Sequence, residues 1–234
     1  MQTVDRDHLK QAAARRAVEL VESGMILGLG TGSTAGFVVE ELAARIRGGL
    51  KVTAIPTSEH TAELARRLGI PLATLGEHRR LDLAIDGADE VERGSTRNLI
   101  KGHGGALLRE KIVAAAADRF IVVVDVEKMV DRLGERAAVP VEVVQFGWQA
   151  TAAAIEKLGA VPELRQTDGR AFVTDGGNFI LDCRFGAIDD ARRIECALNM
   201  TVGVVENGLF VGRTSMVIVA SDQGVEILPR GGGN

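Results

Sequence analysis

Aromatic rings make up only 3% of this 234-residue chain, and tyrosine is absent. Its core must therefore be built from Val, Ile, Leu and Ala. Cysteine is also scarce: Cys183 and Cys196 are the only two. They stand in no metal-ligand pattern and read as structural thiols of a reduced, cytoplasmic protein. No apolar run approaches the ~20 residues a membrane-spanning helix requires. The opening MQTVDRDHLKQAAARR is charged and lacks the apolar stretch of a signal peptide, so neither membrane nor secretion is expected. There is no basic excess either. A formal net charge of −4 argues against a nucleic-acid binder, which needs a basic face. Phosphate recognition must then be local, made by a few cations and backbone N–H groups. Lysine is the rarer cation, with six residues against 22 arginines. Lys10, Lys101 and Lys128 each fall near an expected loop or helix end, although codon usage alone can produce such a ratio.

What is present is a regular alternation of strands and helices. Residues 7–22 carry Leu9, Ala13, Ala17, Leu20 and Val21 on one helical stripe, stopped by Ser23 and Gly24. MILGLG at 25–30 is a short buried strand running into glycines, and the next segment is a helix with Ser33 or Thr34 placed to cap it. VTAIP at 52–56, LDLAID at 81–86 and FIVVVD at 120–125 are further strands, with helices at SEHTAELARRLG and ALLREKIVAAAAD. NLI before KGHGG reads as an additional short strand. Near-continuous apolar strands separated by helices imply a Rossmann-like, mainly parallel sheet covered on both faces. In such sheets ligands bind beyond the carboxyl ends of the strands. GLGTGST, DGADE and the turn after FIVVVD all follow strands, which points to one composite site.

The pattern changes near residue 131. VPVEVV, a helix at GWQATAAAIEKLG, AFVTD, NFILD, a helix at DDARRIECAL and TVGVVE follow in β-α-β-β-α-β order. That is the order of a ferredoxin-like α+β unit. The expected organisation is a catalytic α/β domain at 1–130 with 207–234, and a small domain at 131–206. LFVGRTSMVIVA and VEIL are read as strands returning to the first sheet.

Three segments carry the chemistry. GLGTGST at 28–34 begins like a dinucleotide fingerprint but has Ser33 where the third glycine belongs, and it lacks the lysine of a P-loop. It remains a possible anion cradle, or a plain tight turn. DGADE at 86–90 offers Asp86 and Asp89 at a strand end. Paired carboxylates can divide proton acceptance from donation, bind Mg²⁺ or merely cap a turn. In KGHGGALLRE at 101–110, Lys101 can stabilise an oxyanion and Glu110 falls early in a helix. His8, His60, His78 and His103 show no metal spacing, and no metal is expected.

Taken in order, GLGTGSTA, DGADE, KGHGGALLREKI and DVEKMV resemble the ribose-5-phosphate isomerase A family over nearly the whole chain. The resemblance implies interconversion of D-ribose 5-phosphate and D-ribulose 5-phosphate without cofactor or metal. It further implies a small-molecule sugar phosphate as the partner and a homodimer or homotetramer as the assembly. Glu110 matches the family's catalytic base, which moves a proton between C1 and C2 through an enediolate. Asp86 and Asp89 match carboxylates that contact the sugar, with Asp86 the better candidate for ring opening. Lys101 matches the lysine at the reacting oxygens. Substrate binding is expected from Thr31, Gly32, Ser33 and Thr34, from Gly87 and Ala88, from Gly102, His103 and Gly104, and from Lys128, with Lys10 on the phosphate. One position departs from the family: KGHGGA has His103 where glycine is usual, and a left-handed backbone there would strain a histidine. The alternatives are a sugar-phosphate sensor on the same fold, an amino-sugar phosphate deaminase and a CoA transferase with a glutamate nucleophile. A sensor would be expected to carry a DNA-binding extension, and none of helix-turn-helix size precedes residue 20.

Overall fold

The structure is a computed structural model that describes residues 6–231. Residues 1–5 and 232–234, which include the start of the segment read as lacking an apolar leader, lie outside the described residues. In chain order the first elements are α1 (Arg6–Val18), β1 (Ile26–Leu29), α2 (Ser33–Arg47), β2 (Thr53–Pro56), α3 (Glu59–Arg67) and β3 (Leu83–Asp86). Next come β4 (Glu90–Glu92), β5 (Leu99–Ile100), α4 (Leu107–Ala116), β6 (Phe120–Asp125) and a 3-10 turn at Val126–Lys128. β7 (Met129–Val130), β8 (Val139–Val143), α5 (Trp148–Glu156), β9 (Val161–Leu164), β10 (Gln166–Thr167) and β11 (Arg170–Ala171) follow. The chain closes with β12 (Phe179–Arg184), α6 (Ala191–Asn199), β13 (Val204–Asn207), β14 (Leu209–Phe210), β15 (Met216–Ser221) and β16 (Gly224–Pro229). No helix among the described residues is long and apolar enough to cross a membrane.

The chain divides into two compact units. Among the described residues, one takes those up to Ala88, Arg109–Lys128 and those from Arg213 on; the other takes Asp89–Leu108 and Met129–Gly212.

The first unit is built on a six-stranded sheet in the order β16-β15-β6-β3-β1-β2, parallel except for the β15–β16 hairpin. The registers Leu27↔Leu83 and Ile85↔Ile121 bring like-facing residues side by side. Because side chains alternate along a strand, Leu27, Leu29, Leu83, Ile85, Ile121 and Val123 line one face. There they join Ala13, Ala17 and Val18 of α1 and Val38, Val39 and Leu42 of α2 in one core. On the opposite face α4 approaches β1 closely through Val113. A Cβ on Gly28 would lie 2.4 Å from Val113 Cγ1 and 2.9 Å from Ala84 Cβ, so only glycine lets this helix sit so close. The two-sided cover explains why FIVVV is apolar throughout and why β6 is buried at every position, Asp125 included. α1 ends four residues before the expected 22, because Leu20 and Val21 turn back onto the carbonyls of Ala17 and Val18. Arg45 of α2 donates to the carbonyls of Val18 and Val21 at that end.

The second unit contains an antiparallel sheet in the order β13-β8-β12-β9. Taken as strands one to four (β8, β9, β12, β13), this is the 4-1-3-2 arrangement of a ferredoxin-like unit, with α5 and α6 as its helices. Val139, Val141, Val143 and Leu181 pack with Ile155 and Leu198 in its core. Cys183 belongs to the same core; burial pushes its thiol pKa up, with Asp182 adding to the rise, whereas Cys196 is exposed.

The strand order of the small unit, the pairing of β14 and β5, and the start of α2 also differ from the sequence expectation. The second strand of the ferredoxin-like order is Val161–Leu164, not AFVTD. Asp168 (φ 53°) and Gly169 (φ 72°) form a left-handed pair that closes a β10–β11 hairpin and takes Arg170 and Ala171 into it. β14 and β5, expected to belong with the parallel sheet, pair with each other in a separate small sheet of order β14-β5-β4-β7. Finally, α2 starts at Ser33 itself, and the capping position is Gly32 at φ 113° and ψ 178°, with no side-chain cap.

Candidate active site

In the first unit, Asp86 closes β3 and is 3% exposed. Its Oδ1 accepts from the N–H of Gly87 at 2.7 Å and from the N–H of Thr31 at 3.2 Å. The carboxylate thus joins the ends of β1 and β3. A Cβ on Gly30 would lie 2.0 Å from the same Oδ1, so this glycine makes room for the acid. Thr31 Oγ1 is the hub of a hydroxyl cluster, 2.7 Å from Thr57, 2.8 Å from Ser58 and 3.2 Å from Thr61. Ser58 also caps α3 by accepting from the Thr61 N–H at 3.1 Å, and Thr61 donates to the Gly30 carbonyl at 2.9 Å. Gly32, Ser33 and Thr34 occupy the start of α2, whose first-turn N–H groups have no side-chain cap. Thr34 lies 3.7 Å from the Cβ position of Gly87. Ala88 is half-buried at the turn that follows.

Glu110 stands in the first turn of α4 and is 3% exposed. Lys128 ends the 3-10 turn after β6, and that turn is anchored by Asp125 accepting from the Glu127 N–H at 3.0 Å. Lys10 lies on α1 with its ammonium 3.0 Å from Asp7. A groove of about 550 Å³ borders the α3 cap, lined by Ser58, Glu59, Arg109 and Ile112 among others, and it includes none of the expected site residues.

In the second unit, Lys101 follows β5 and is 2% exposed. Its backbone N–H donates to the Gly208 carbonyl at 2.9 Å and its ammonium lies 5.6 Å from the centre of the Phe210 ring. Gly102 has φ +110°, and a Cβ there would meet Leu107 Cβ at 2.7 Å. Asp89 accepts from the His103 N–H at 3.0 Å, and His103 Nδ1 lies 3.8 Å from the same carboxylate. His103 is not in the left-handed region, where Arg97 and Asp168 are the non-glycine residues among those described. The histidine therefore carries no backbone strain. Gly104 is exposed at the tip of the loop. A polar cavity of about 700 Å³ includes His103, Arg165, Asp182 and Arg184 in its lining.

The sequence expectation missed Thr57, Ser58 and Thr61, although TSEHT directly follows a parallel strand, the location that already singled out GLGTGST. It also missed Arg165, whose only sequence signal is a charged residue between two short strands. Among the described residues no three His, Cys, Asp or Glu side chains gather as metal ligands.

The profile of the family "Ribose 5-phosphate isomerase A (phosphoriboisomerase A)" matches residues 53–224. The chain belongs to this family. A relative from Gloeobacter violaceus named Ribose-5-phosphate isomerase A is 60% identical over 225 residues, covering 96% of this chain and 97% of the relative. The solved ribose 5-phosphate isomerase A of Methanocaldococcus jannaschii superposes with a TM-score of 0.91 at 44% identity, covering 95% of this chain and 99% of that one. A D-ribose-5-phosphate isomerase solved in complex with phospho-erythronic acid superposes with a TM-score of 0.93 at 39% identity, over 97% of this chain and 100% of the other.

Proposed function

We propose that this chain interconverts D-ribose 5-phosphate and D-ribulose 5-phosphate through an enediolate, with Glu110 as the base. The observation that carries the reading is membership of the isomerase family over nearly the whole chain, joined to a glutamate held almost fully buried in the first turn of α4. Asp86 assists opening of the sugar ring, and Asp89 contacts the sugar. In the open aldose, Glu110 takes the C2 proton; the C–H electrons form the C1=C2 bond and those of the C1 carbonyl move onto O1. Lys101 stabilises that oxyanion, an interaction that strengthens as charge develops. The O2 proton passes to O1, and Glu110 returns its proton to C1, leaving the carbonyl at C2. Protons and electrons balance within one substrate, so the chemistry calls for no redox cofactor.

Substrate binding falls to Thr31, Gly32, Ser33, Thr34, Gly87, Ala88, Gly102, His103, Gly104 and Lys128, with Lys10 on the phosphate. The uncapped N-terminus of α2 beside Thr31 is the kind of backbone that receives a phosphate. A phosphate grip supplies binding energy remote from C1 and C2, which orients a flexible chain for proton transfer. Phospho-erythronic acid, bound in the related structure, has a planar carboxylate that imitates the paired oxygens of an enediolate. Residues 1–130 with 207–234 form the catalytic domain in this reading and 131–206 the small one. The chain works in the cytoplasm as a homodimer or homotetramer, with no nucleic-acid or membrane partner.

Incubation with ribose 5-phosphate in the presence of EDTA tests the reading. Formation of ribulose 5-phosphate is expected. No ketose would contradict it and favour a sensor or a different substrate.

A further inference from the structure

We propose that Arg165 is a positioning residue of the isomerisation, setting the direction of the peptide planes in the loop that follows Lys101. The inference rests on the isomerase reading given above. Arg165 is poorly exposed, at 13% of its side chain. Its Nη1 donates to two successive carbonyls, Gly102 at 2.9 Å and His103 at 3.0 Å. Its Nε donates to Asp182 Oδ2 at 2.9 Å, and Nη2 donates to Asp182 Oδ1, forming a bidentate pair. The guanidinium carbon lies 6.0 Å from the centre of the Phe172 ring. That ring occupies the space a Cβ on Gly105 would need, 2.4 Å away. The guanidinium is therefore held by the Asp182 carboxylate and the Phe172 ring face before it reaches the loop.

In a trans peptide the C=O of one residue and the N–H of the next point in opposite directions. With the Gly102 and His103 carbonyls turned towards Arg165, the N–H groups of His103 and Gly104 must point away from it. The first of these is found doing so, donating to Asp89 at 3.0 Å. Adjacent N–H groups on one side of a loop form a small concavity for negative oxygens. Within the loop a turn hydrogen bond from the Gly105 N–H to the Gly102 carbonyl, at 3.0 Å, fixes one peptide, but glycine at 102, 104 and 105 turns over at low cost. A flipped peptide would present a carbonyl where a donor is needed. The Arg165–Asp182 pair adds a second hold on the Gly102 carbonyl and holds the His103 carbonyl as well. Lysine, a single point charge, cannot hold two carbonyls and a bidentate carboxylate together.

Steady-state kinetics of Arg165→Met and Asp182→Asn test the proposal, alongside inhibition by phospho-erythronic acid. Arg165→Met is expected to lower kcat about 10- to 100-fold, the size of effect that misplacement by about 1 Å produces. The Ki for phospho-erythronic acid should rise by a similar factor while KM for ribose 5-phosphate moves less than about threefold. Arg165→Lys should recover only part of the loss. A folded Arg165→Met enzyme with unchanged kcat, or with reduced kcat and an unchanged Ki, would overturn the positioning role. If Arg165→Met does not fold, Asp182→Asn is read by the same criteria, since it keeps the side-chain shape and removes one half of the pair. Wild-type protein that forms no ketose in the same assay would instead contradict the isomerase reading.

Discussion

Gly28, Gly30 and Gly32 alternate within one motif, and each answers to a different neighbour. Gly28 admits Val113 of α4, Gly30 leaves room for the Asp86 carboxylate, and Gly32 adopts a backbone at φ +113° that side chains avoid. The sequence showed that this stretch was special, but not that one of its glycines serves helix packing. Periodicity cannot reveal a neighbour 85 positions away. His103 gives the opposite case. Its place in the family's glycine run raised the question of strain, yet its backbone lies outside the left-handed region. Its ring nitrogen Nε2 lies 3.3 Å from the Ala138 carbonyl. His103→Gly is therefore expected to lower stability by about 0.4–1 kcal/mol, because glycine gains more freedom in the unfolded chain than histidine does. Urea unfolding measures the change, and a gain in stability would show that the histidine is strained after all.

At the level of elements, the contact between α4 and the parallel sheet is the most exacting. Gly28→Ala places a methyl 2.4 Å from Val113 Cγ1, an overpacking expected to cost about 1–3 kcal/mol. Because α4 also carries Glu110, a shift of the helix should lower activity as well. The double variant Gly28→Ala with Val113→Ala should be more stable than the sum of the two single changes implies. Thermal unfolding of the four proteins measures this coupling, and simple additivity would mean that α4 does not press on Gly28. The strands and helices of this unit were legible because each apolar run is bounded by glycine or charge. β9 was not, because Pro162 stands in the middle of VPEL. Proline is tolerated there since β9 is the edge strand of its sheet. AFVTD looked more strand-like, but the left-handed Asp168–Gly169 pair takes its start into a hairpin. A sequence carries the preference for a strand more plainly than the strand's rank in a sheet.

For the whole molecule, the order of motifs along the chain makes the family legible in the sequence. Lys101, Glu110 and the paired aspartates were visible because acids, a cation and bare backbone amides crowd into two short windows. Thr57, Ser58, Thr61 and Arg165 were not, because their contacts with the site segments span 26 to 63 positions. The central claim is that Glu110 carries the proton between C1 and C2, and the kinetics of Glu110→Gln with ribose 5-phosphate test it most directly. The substitution keeps the size of the side chain and removes its basicity. A fall in kcat of about 10²–10⁴-fold, with KM changed comparatively little, is predicted; a folded Glu110→Gln enzyme that retains near-full turnover would contradict the assignment.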